Sequence, residues 1–568
     1  MRIETSGITG IDVLRAALPA SLILLLAAFP PHVHPDVLAP ALALAALAGL
    51  MAPPVRRLGL FLPAAALVAV ALNLASSLQM LQSVRTIALM TAFVLTGLCC
   101  AGAVPNEKRG AAVVLGATAL AGTGLALHGL YQTFFGFGQA EAIAEAMGSA
   151  IPETIRARIA SGRAVSTLGL PATLGGFLAM SIPVTAIWLQ RKSVPGPARI
   201  GAGALIAIQA AGLLATRSAS ALCALGVAAA LVVWRRASAS SGARRRTLVV
   251  SAWAIAAAGV TGAAIFLALR MSGPMAVDEG SGPLMLRALN WKVALEIAAA
   301  SPILGAGAGC YGIAFPALRE WGMNESQFAH NSYLQILAEG GLLLAVPILI
   351  GAVLLARRAL RAAAAGGDAA LVALGCLAFM VHNVVDFTLF LSTTGMAFAC
   401  LAGLLAPAPR NRGASLALVR PAAAVALVLS VVAVIVGTAD RARDAGRGLF
   451  VEGRLEEALA PARRASRVNP IDPDASSLQS QILLEAAAAS RNPTGLPEAE
   501  AQAERAVRLD PRTPGRWRHL GRVRLARGDL LGAYLALARA AALYPIRIEY
   551  REERDQLRER IERAREKE

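Results

Sequence analysis

The stretch FAHNSYLQILAEGG carries the most chemically suggestive residues in this chain. Ser332 and Gln335 stand at capping-box spacing, which predicts a helix starting there. His330 then lies just before a helix N-terminus. The positive end of the helix dipole disfavours imidazolium and keeps the ring neutral near pH 7. A neutral imidazole at an accessible edge suits a general base acting on a hydroxyl; an interfacial loop histidine fits the same residues. Asn331 accompanies it. Glu339, one to two turns into the helix, would orient a polar partner.

Three arginines and a second acidic site could serve that base. Arg217 sits in ATRSASAL, a tight turn that needs no cation to orient it. It reads as an anion contact or as an arginine snorkelling to head groups. Arg287 and Trp291, four apart in MLRALNWKVALEIAAA, share a helix face. Paired N–H donors with a stacking ring suit a sugar-phosphate ligand, and equally a helix lying on a membrane surface. Arg163 is a third candidate. His382 and Asp386, in MVHNVVDFTLF, read first as structural. Glycines 305, 307 and 309 follow no strand, so they are not a dinucleotide fingerprint. His32 and His34 form an H-x-H between prolines and read as a solvated loop. The six cysteines suggest neither disulfides nor zinc, so no metal and no cofactor is expected.

The elements that must position these residues span a membrane. The 568 residues are 56% hydrophobic and only 16% charged, against about a quarter charged in soluble domains. A spanning helix needs about 20 apolar residues. Thirteen segments qualify, near 13–29, 37–52, 58–81, 86–104, 111–135, 166–190, 199–216, 219–234, 248–269, 334–356, 369–390, 393–409 and 420–438. The fold class is therefore all-α, a polytopic helical membrane bundle of about 12–13 spanning helices. The first segment reads as a retained anchor, not a cleaved signal. Basic clusters at Arg56 and Arg57, Lys108 and Arg109, Arg191 to Arg199, Arg235 to Arg246, Arg357 to Arg361 and Arg410 to Arg420 all fall on one face, the cytoplasm. The N-terminus is then inside. The loops 136–165 and 270–333 are outside, and so is everything after residue 440. The net charge of +18 serves orientation and does not imply nucleic acid. Middle spans without charge argue against a coupled transporter.

Residues 1–440 thus form a membrane domain with a structured outer loop near 270–333. Residues 441–568 form a polar helical domain, with 25 Lys and Arg against 20 Asp and Glu. Pro470, Pro511 and Pro545 close three similar phrases, LEEALAPARRASRVNP, AEAQAERAVRLDP and LGAYLALARAAALYP. The last two prolines are 34 apart, the tetratricopeptide period; the first two are 41 apart, implying an insertion near Asn492–Pro497. Trp517, Leu520 and Gly521 match the opening of that repeat. Such a domain reads as a concave docking surface for a periplasmic protein partner, or as a folded extension with no specific partner.

AHNSYLQILAEGG, RALNWKVALEIAAASPILGAGAGCYGIAF, MVHNVVDFTLF, GRAVSTLGLPATLGGFLAM and LLATRSASALCAL together resemble the O-antigen ligase and polymerase family. The resemblance covers roughly 85–410, and some members carry tetratricopeptide tails. It implies a bacterial inner-membrane enzyme acting at the periplasmic face on an undecaprenyl-diphosphate-linked glycan. It makes His330 the base and puts Arg217, Arg287 and Arg163 on the diphosphate. Asn331, Glu339, Trp291, His382 and Asp386 would support them. The acceptor would be lipid A core or another glycan or protein acceptor, in contact with membrane lipids. Arg217 departs from the family's more usual Ser-Arg-Gly phrasing. A polymerase or a protein O-oligosaccharyltransferase shares the donor chemistry; a flippase or a non-catalytic membrane scaffold does not.

Overall fold

The computed structural model describes residues 10–29, 38–51, 61–103, 108–146, 153–243, 245–247, 249–251, 254, 283–406 and 419–566. Every regular element among them is helical, as expected where lipid offers the backbone no partner. The chain opens with α1 (Gly10–Ala28), α2 (Leu38–Met51), α3 (Phe61–Ala75), α4 (Met80–Ala103) and α5 (Lys108–Tyr131). A π-helical turn, Gln132–Gly136, carries α5 into α6 (Phe137–Ala146), and α7 (Glu153–Ala160) follows. The outer loop expected from 136 is thus largely helical, because FGQAEAIAEA is rich in strong helix formers. Next come α8 (Pro171–Thr185), the short α9 (Ile187–Gln190), α10 (Gly196–Ala215) and α11 (Ala219–Ser238). The segment expected as an outer loop near 270–333 holds α12 (Pro283–Ala300) and α13 (Tyr311–Leu318). Then follow α14 (Ser332–Ala365), α15 (Gly367–His382), α16 (Ser392–Leu404) and α17 (Val419–Val451).

Among the described residues, six stretches are long and apolar enough to cross a membrane: Met80–Ala101, Gly110–Glu145, Pro171–Gln190, Gly196–Ala215, Ala219–Ser238 and Ser332–Ala365. Shorter apolar helices, α15 and α16 among them, pack between these. The span expected near 248–269 lies largely outside the described residues. The clusters at 56–57 and 410–412 and the H-x-H at 32–34 lie wholly outside them. The span expected over 369–390 stops at His382. There the Asn383 side chain accepts from Leu389 N–H (2.8 Å) and donates to Thr388 Oγ1 (3.0 Å), folding a turn in place of helix.

Association of helices in lipid depends on close packing rather than on escape from water. Leu174, Phe177, Leu178 and Met180 of α8, with Cys376 and Phe379 of α15, are buried in the bundle core. A Cβ at Gly375 would sit 2.6 Å from the Met180 carbonyl oxygen, so glycine sets that approach. Gln209 of α10 is fully buried. Its amide accepts from Ser181 (2.9 Å) and reaches Thr123 (3.0 Å), Thr185 (2.9 Å) and the Ala119 carbonyl (3.1 Å), tying α5, α8 and α10 together. At the end of the bundle away from His382, Arg191 pairs with Asp368 at 2.8 Å.

α17 runs out of the bundle without a break and becomes the first helix of the tail. Arg85 of α4 pairs with Asp440 at 2.6 Å, and Arg443 bridges Asp440 (2.9 Å) and Asp472 (3.1 Å). The tail continues as α18 (Leu455–Val468), α19 (Pro473–Ser490), α20 (Leu496–Leu509), α21 (Pro514–Ala526), α22 (Leu530–Leu543) and α23 (Ile548–Arg565). The phrases ending at Pro470, Pro511 and Pro545 coincide with α18, α20 and α22. Buried alanines line them: Ala458 and Ala462, then Ala499 and Ala503, then Ala533 and Ala540. Small side chains there let neighbouring helices pack closely. The expected insertion is visible as the long α19 and a 3₁₀ turn at Pro493–Gly495.

Candidate active site

The site is organised around a break in α14. Gly341 has φ 56° and ψ −169°, which interrupts the helix. The loop after α12 enters that break. Ala306 and Gly307 N–H donate to the Ala338 and Glu339 carbonyls (2.9 and 3.0 Å), and Leu342 and Leu343 N–H donate to the Pro302 and Ile303 carbonyls (2.8 and 3.1 Å). Asn73 of α3 donates to the Leu304 and Glu339 carbonyls (2.7 and 2.9 Å) and accepts from Ala308 N–H (3.1 Å). Backbone groups freed by the break are thereby satisfied inside protein, as membrane depth requires. The Glu339 carboxylate accepts from Gly309 N–H (2.8 Å), Tyr311 N–H (3.2 Å) and the Gln335 amide (3.1 Å). Its polar partner is the glycine loop, so its role is to fasten that loop.

The helix starts where the sequence predicts, but its cap is Asn331, not Ser332. The Asn331 side chain accepts from Tyr333 and Leu334 N–H, both at 3.0 Å. Ser332 instead turns inward, donating to Asn383 Oδ1 at 2.7 Å. Gln335, the expected partner of a Ser332 cap, accepts from Ala329 N–H at 3.1 Å. The capping box fails because Ser332 is fully buried against the turn after α15.

His330 is held immediately before this cap with φ 54°, a left-handed conformation that is rare outside glycine and collects at functional sites. Trp291 Nε1–H donates to the His330 carbonyl at 3.1 Å. Phe387 meets the imidazole edge-on at 4.9 Å between centroids, and Phe328 stacks on Phe387 at 4.1 Å. His330 Nδ1 is buried and has no hydrogen-bond partner among the described residues. Burial pushes the imidazole pKa below its ordinary value; the Asp386 carboxylate opposes this, and the Arg287 guanidinium adds to it. The ring is therefore neutral near pH 7, with burial as the largest of these causes.

Asp386 is buried behind His330. Its Oδ1 accepts from Phe387 N–H at 2.8 Å; its Oδ2 faces Arg287 at 3.6 Å and His382 Nε2 at 3.9 Å. His382 Nε2 also lies 3.2 Å from the Ala172 carbonyl at the start of α8. Arg287, Trp291, His330, His382 and Asp386 thus form one cluster. Arg287 and Trp291 use one face of α12, as their spacing predicts.

Arg163 and Arg217 form a second group. Arg163 donates to the Thr216 and Arg217 carbonyls (3.0 and 3.3 Å), and Arg217 donates to the Ser161 carbonyl (3.3 Å). The two turns are clasped by their own arginines. Arg217 is exposed and has φ 47°. His382, of the first cluster, contacts the backbone at Ser220, three residues beyond Arg217. Glu339, in α14, stands apart, bonded to the glycine loop. Sequence reading missed Asn383, Phe387 and Asn73. A lone asparagine in the apolar run ALNLA was the available signal for the last.

Residues 202–349 match the family model described as O-antigen ligase. The matched segment contains Arg217, Arg287, Trp291, His330, Asn331 and Glu339, and it supports a membrane glycosyltransferase-like function in O-antigen assembly. No curated protein matches the chain. Among solved structures, the first TPR of Spaghetti (RPAP3) bound to the HSP90 peptide SRMEEVD is similar at 18% identity. That likeness covers 22% of this chain and 94% of that one, with a TM-score of 0.20.

Proposed function

We propose that the chain is a metal-independent, O-antigen ligase-like glycosyltransferase that moves a glycan from an undecaprenyl-diphosphate carrier to an acceptor hydroxyl at the periplasmic face of a bacterial inner membrane. The observation that carries this is the meeting of a neutral, buried-edge histidine with an arginine–carboxylate pair and a tryptophan in one cluster. His330 takes the proton of the acceptor hydroxyl. The freed oxygen attacks the anomeric carbon of the first sugar, and the bond to the diphosphate oxygen breaks with its electron pair. The configuration at carbon inverts. Arg287, with Arg217 and Arg163 on the adjoining turns, neutralises the diphosphate as charge develops, by fixed donors rather than by reorganising water. Asp386 holds Arg287 in place and His382 backs Asp386.

In this reading residues 1–440 are the catalytic membrane domain, and 441–568 are a periplasmic tetratricopeptide-like domain for a protein partner. The deciding experiment is deletion of the gene, followed by complementation with wild type or His330→Ala and analysis of surface glycans. Wild type restores long chains on lipid A core and the variant does not. Core bearing a single repeat unit would instead identify a polymerase. Unglycosylated secreted proteins with normal lipopolysaccharide would identify a protein glycosyltransferase. Full restoration by His330→Ala would overturn the enzyme reading.

A further inference from the structure

We propose that Tyr544, in the C-terminal domain, is a positioning residue for His330, acting through the strap Arg319–Phe328. The inference rests on His330 being the base.

The strap is the only covalent route from α13 to His330, and it has little regular structure of its own. Its first turn is closed by Arg319, whose guanidinium donates to the Met323 carbonyl through Nε at 2.8 Å and Nη2 at 2.5 Å. Met323 is buried in the outer-loop core beside Phe315 and Ala329. On both sides of Met323, at Arg319 and Glu325, the strap touches the tail. The Tyr544 hydroxyl donates to Glu325 Oε1 at 2.8 Å and accepts from Arg319 Nη1. The guanidinium groups of Arg319 and Arg547 lie over the Tyr544 ring at 5.7 and 6.0 Å, and Arg547 reaches Glu325 at 3.4 Å. Tyr544 itself is only 6% exposed.

From Glu325 the contacts run on to the base without a gap. Ser326 Oγ donates to the Phe328 carbonyl at 2.6 Å. Phe328 stacks on Phe387, which meets the His330 ring. Ala329 N–H is fixed by Gln335. The strap is therefore packed against the membrane domain at Phe328 and gripped by the tail at Arg319 and at Glu325, the latter five residues before His330. A left-handed histidine needs such bracing, since that conformation costs about 1–3 kcal/mol and persists only where surroundings enforce it.

The test uses the full chain in gene-deleted cells and, purified in detergent, hydrogen exchange of the amides between Met323 and Asn331. In Tyr544→Ala those amides exchange about tenfold faster, the effect of losing one hydrogen bond to a charged group. Glycan transfer falls about ten- to a hundredfold, as displacements near 1 Å do. Glu325→Ala has the same effect, and the double variant is no worse than either single one. Glu325→Gln, whose amide oxygen still accepts from the hydroxyl, restores most of the transfer, which a general loss of folding would not allow. Wild-type exchange and transfer in both alanine variants, or effects that simply add, would overturn the inference. His330→Ala is run alongside. If it transfers fully, the catalytic reading fails on its own account, and exchange in the strap still judges the latch.

Discussion

At the scale of single residues, the cluster ties proton affinity to charge placement. His330→Ala should lower transfer by about 10²–10⁴-fold, the usual contribution of a general base. The neutral ring is the working form, so the rate falls as pH drops through the imidazole pKa. Burial places that pKa below the ordinary ~6.5, and the acid limb of kcat/KM should lie there. Asp386→Asn removes the carboxylate that favours imidazolium, so the limb should move to still lower pH. A pH–rate profile of the two proteins checks both statements; an unmoved limb in Asp386→Asn would separate that carboxylate from the base. Arg287→Lys should not restore function lost in Arg287→Ala. Lysine keeps the charge but not the planar fork that can hold a diphosphate while facing Asp386. Transfer assays of the two variants side by side decide the point.

At the scale of elements, the glycine loop and the broken α14 form one unit. Glu339→Ala would leave Gly309 and Tyr311 N–H without their acceptor, and about 1–3 kcal/mol of stability should go with it. Thermal unfolding in detergent measures this. In the tail, His519 lies against Ser480 Oγ at 2.8 Å, and burial with Arg522 pushes its pKa down to about 4. A depressed pKa means that the unfolded chain binds the proton first. The tail should be fully stable above pH ~6.5 and lose on the order of 3 kcal/mol between there and pH ~4. His519→Asn should flatten that loss in a pH series of thermal melts.

Much of this scale was legible in sequence. Apolar runs predicted the spans, the spacing of Arg287 and Trp291 predicted a shared face, and the proline phrases marked the tail helices. What was not legible depends on contacts distant in sequence. Ser332 looks like a cap until Asn383, fifty-one residues away, claims its hydroxyl. The break at Gly341 looks like ordinary helix until the 302–307 backbone supplies its partners. The span near 369–390 looks continuous until Asn383 folds the turn that ends it. Arg217 read alone as an anion contact or a snorkelling cation and Arg163 as a further diphosphate candidate, and only their crossed bonds to the opposite turns reveal a clasp.

At the scale of the whole molecule, contacts among the outer loop, the turn after α15 and the tail gather the candidate site at one end of the bundle. Arg191 and Asp368 mark the other. If the site end faces the periplasm, Trp321→Cys, with 67% of that surface exposed, should react with a membrane-impermeant maleimide in intact cells. Lys192→Cys should react only after the membrane is opened. The reverse pattern would turn the protein over and remove the lipid-linked donor from reach.

The interruption at Gly341 has a mechanical corollary. A continuous rod would carry any tilt or vertical shift of its lipid-facing length directly to its tip. Here the loop 302–307 is hydrogen-bonded across the joint, to Ala338 and Glu339 before it and to Leu342 and Leu343 after it, and the α15 turn holds the short piece at Ser332. Changes in membrane thickness should therefore be absorbed at the joint, leaving the imidazole in register with its arginine.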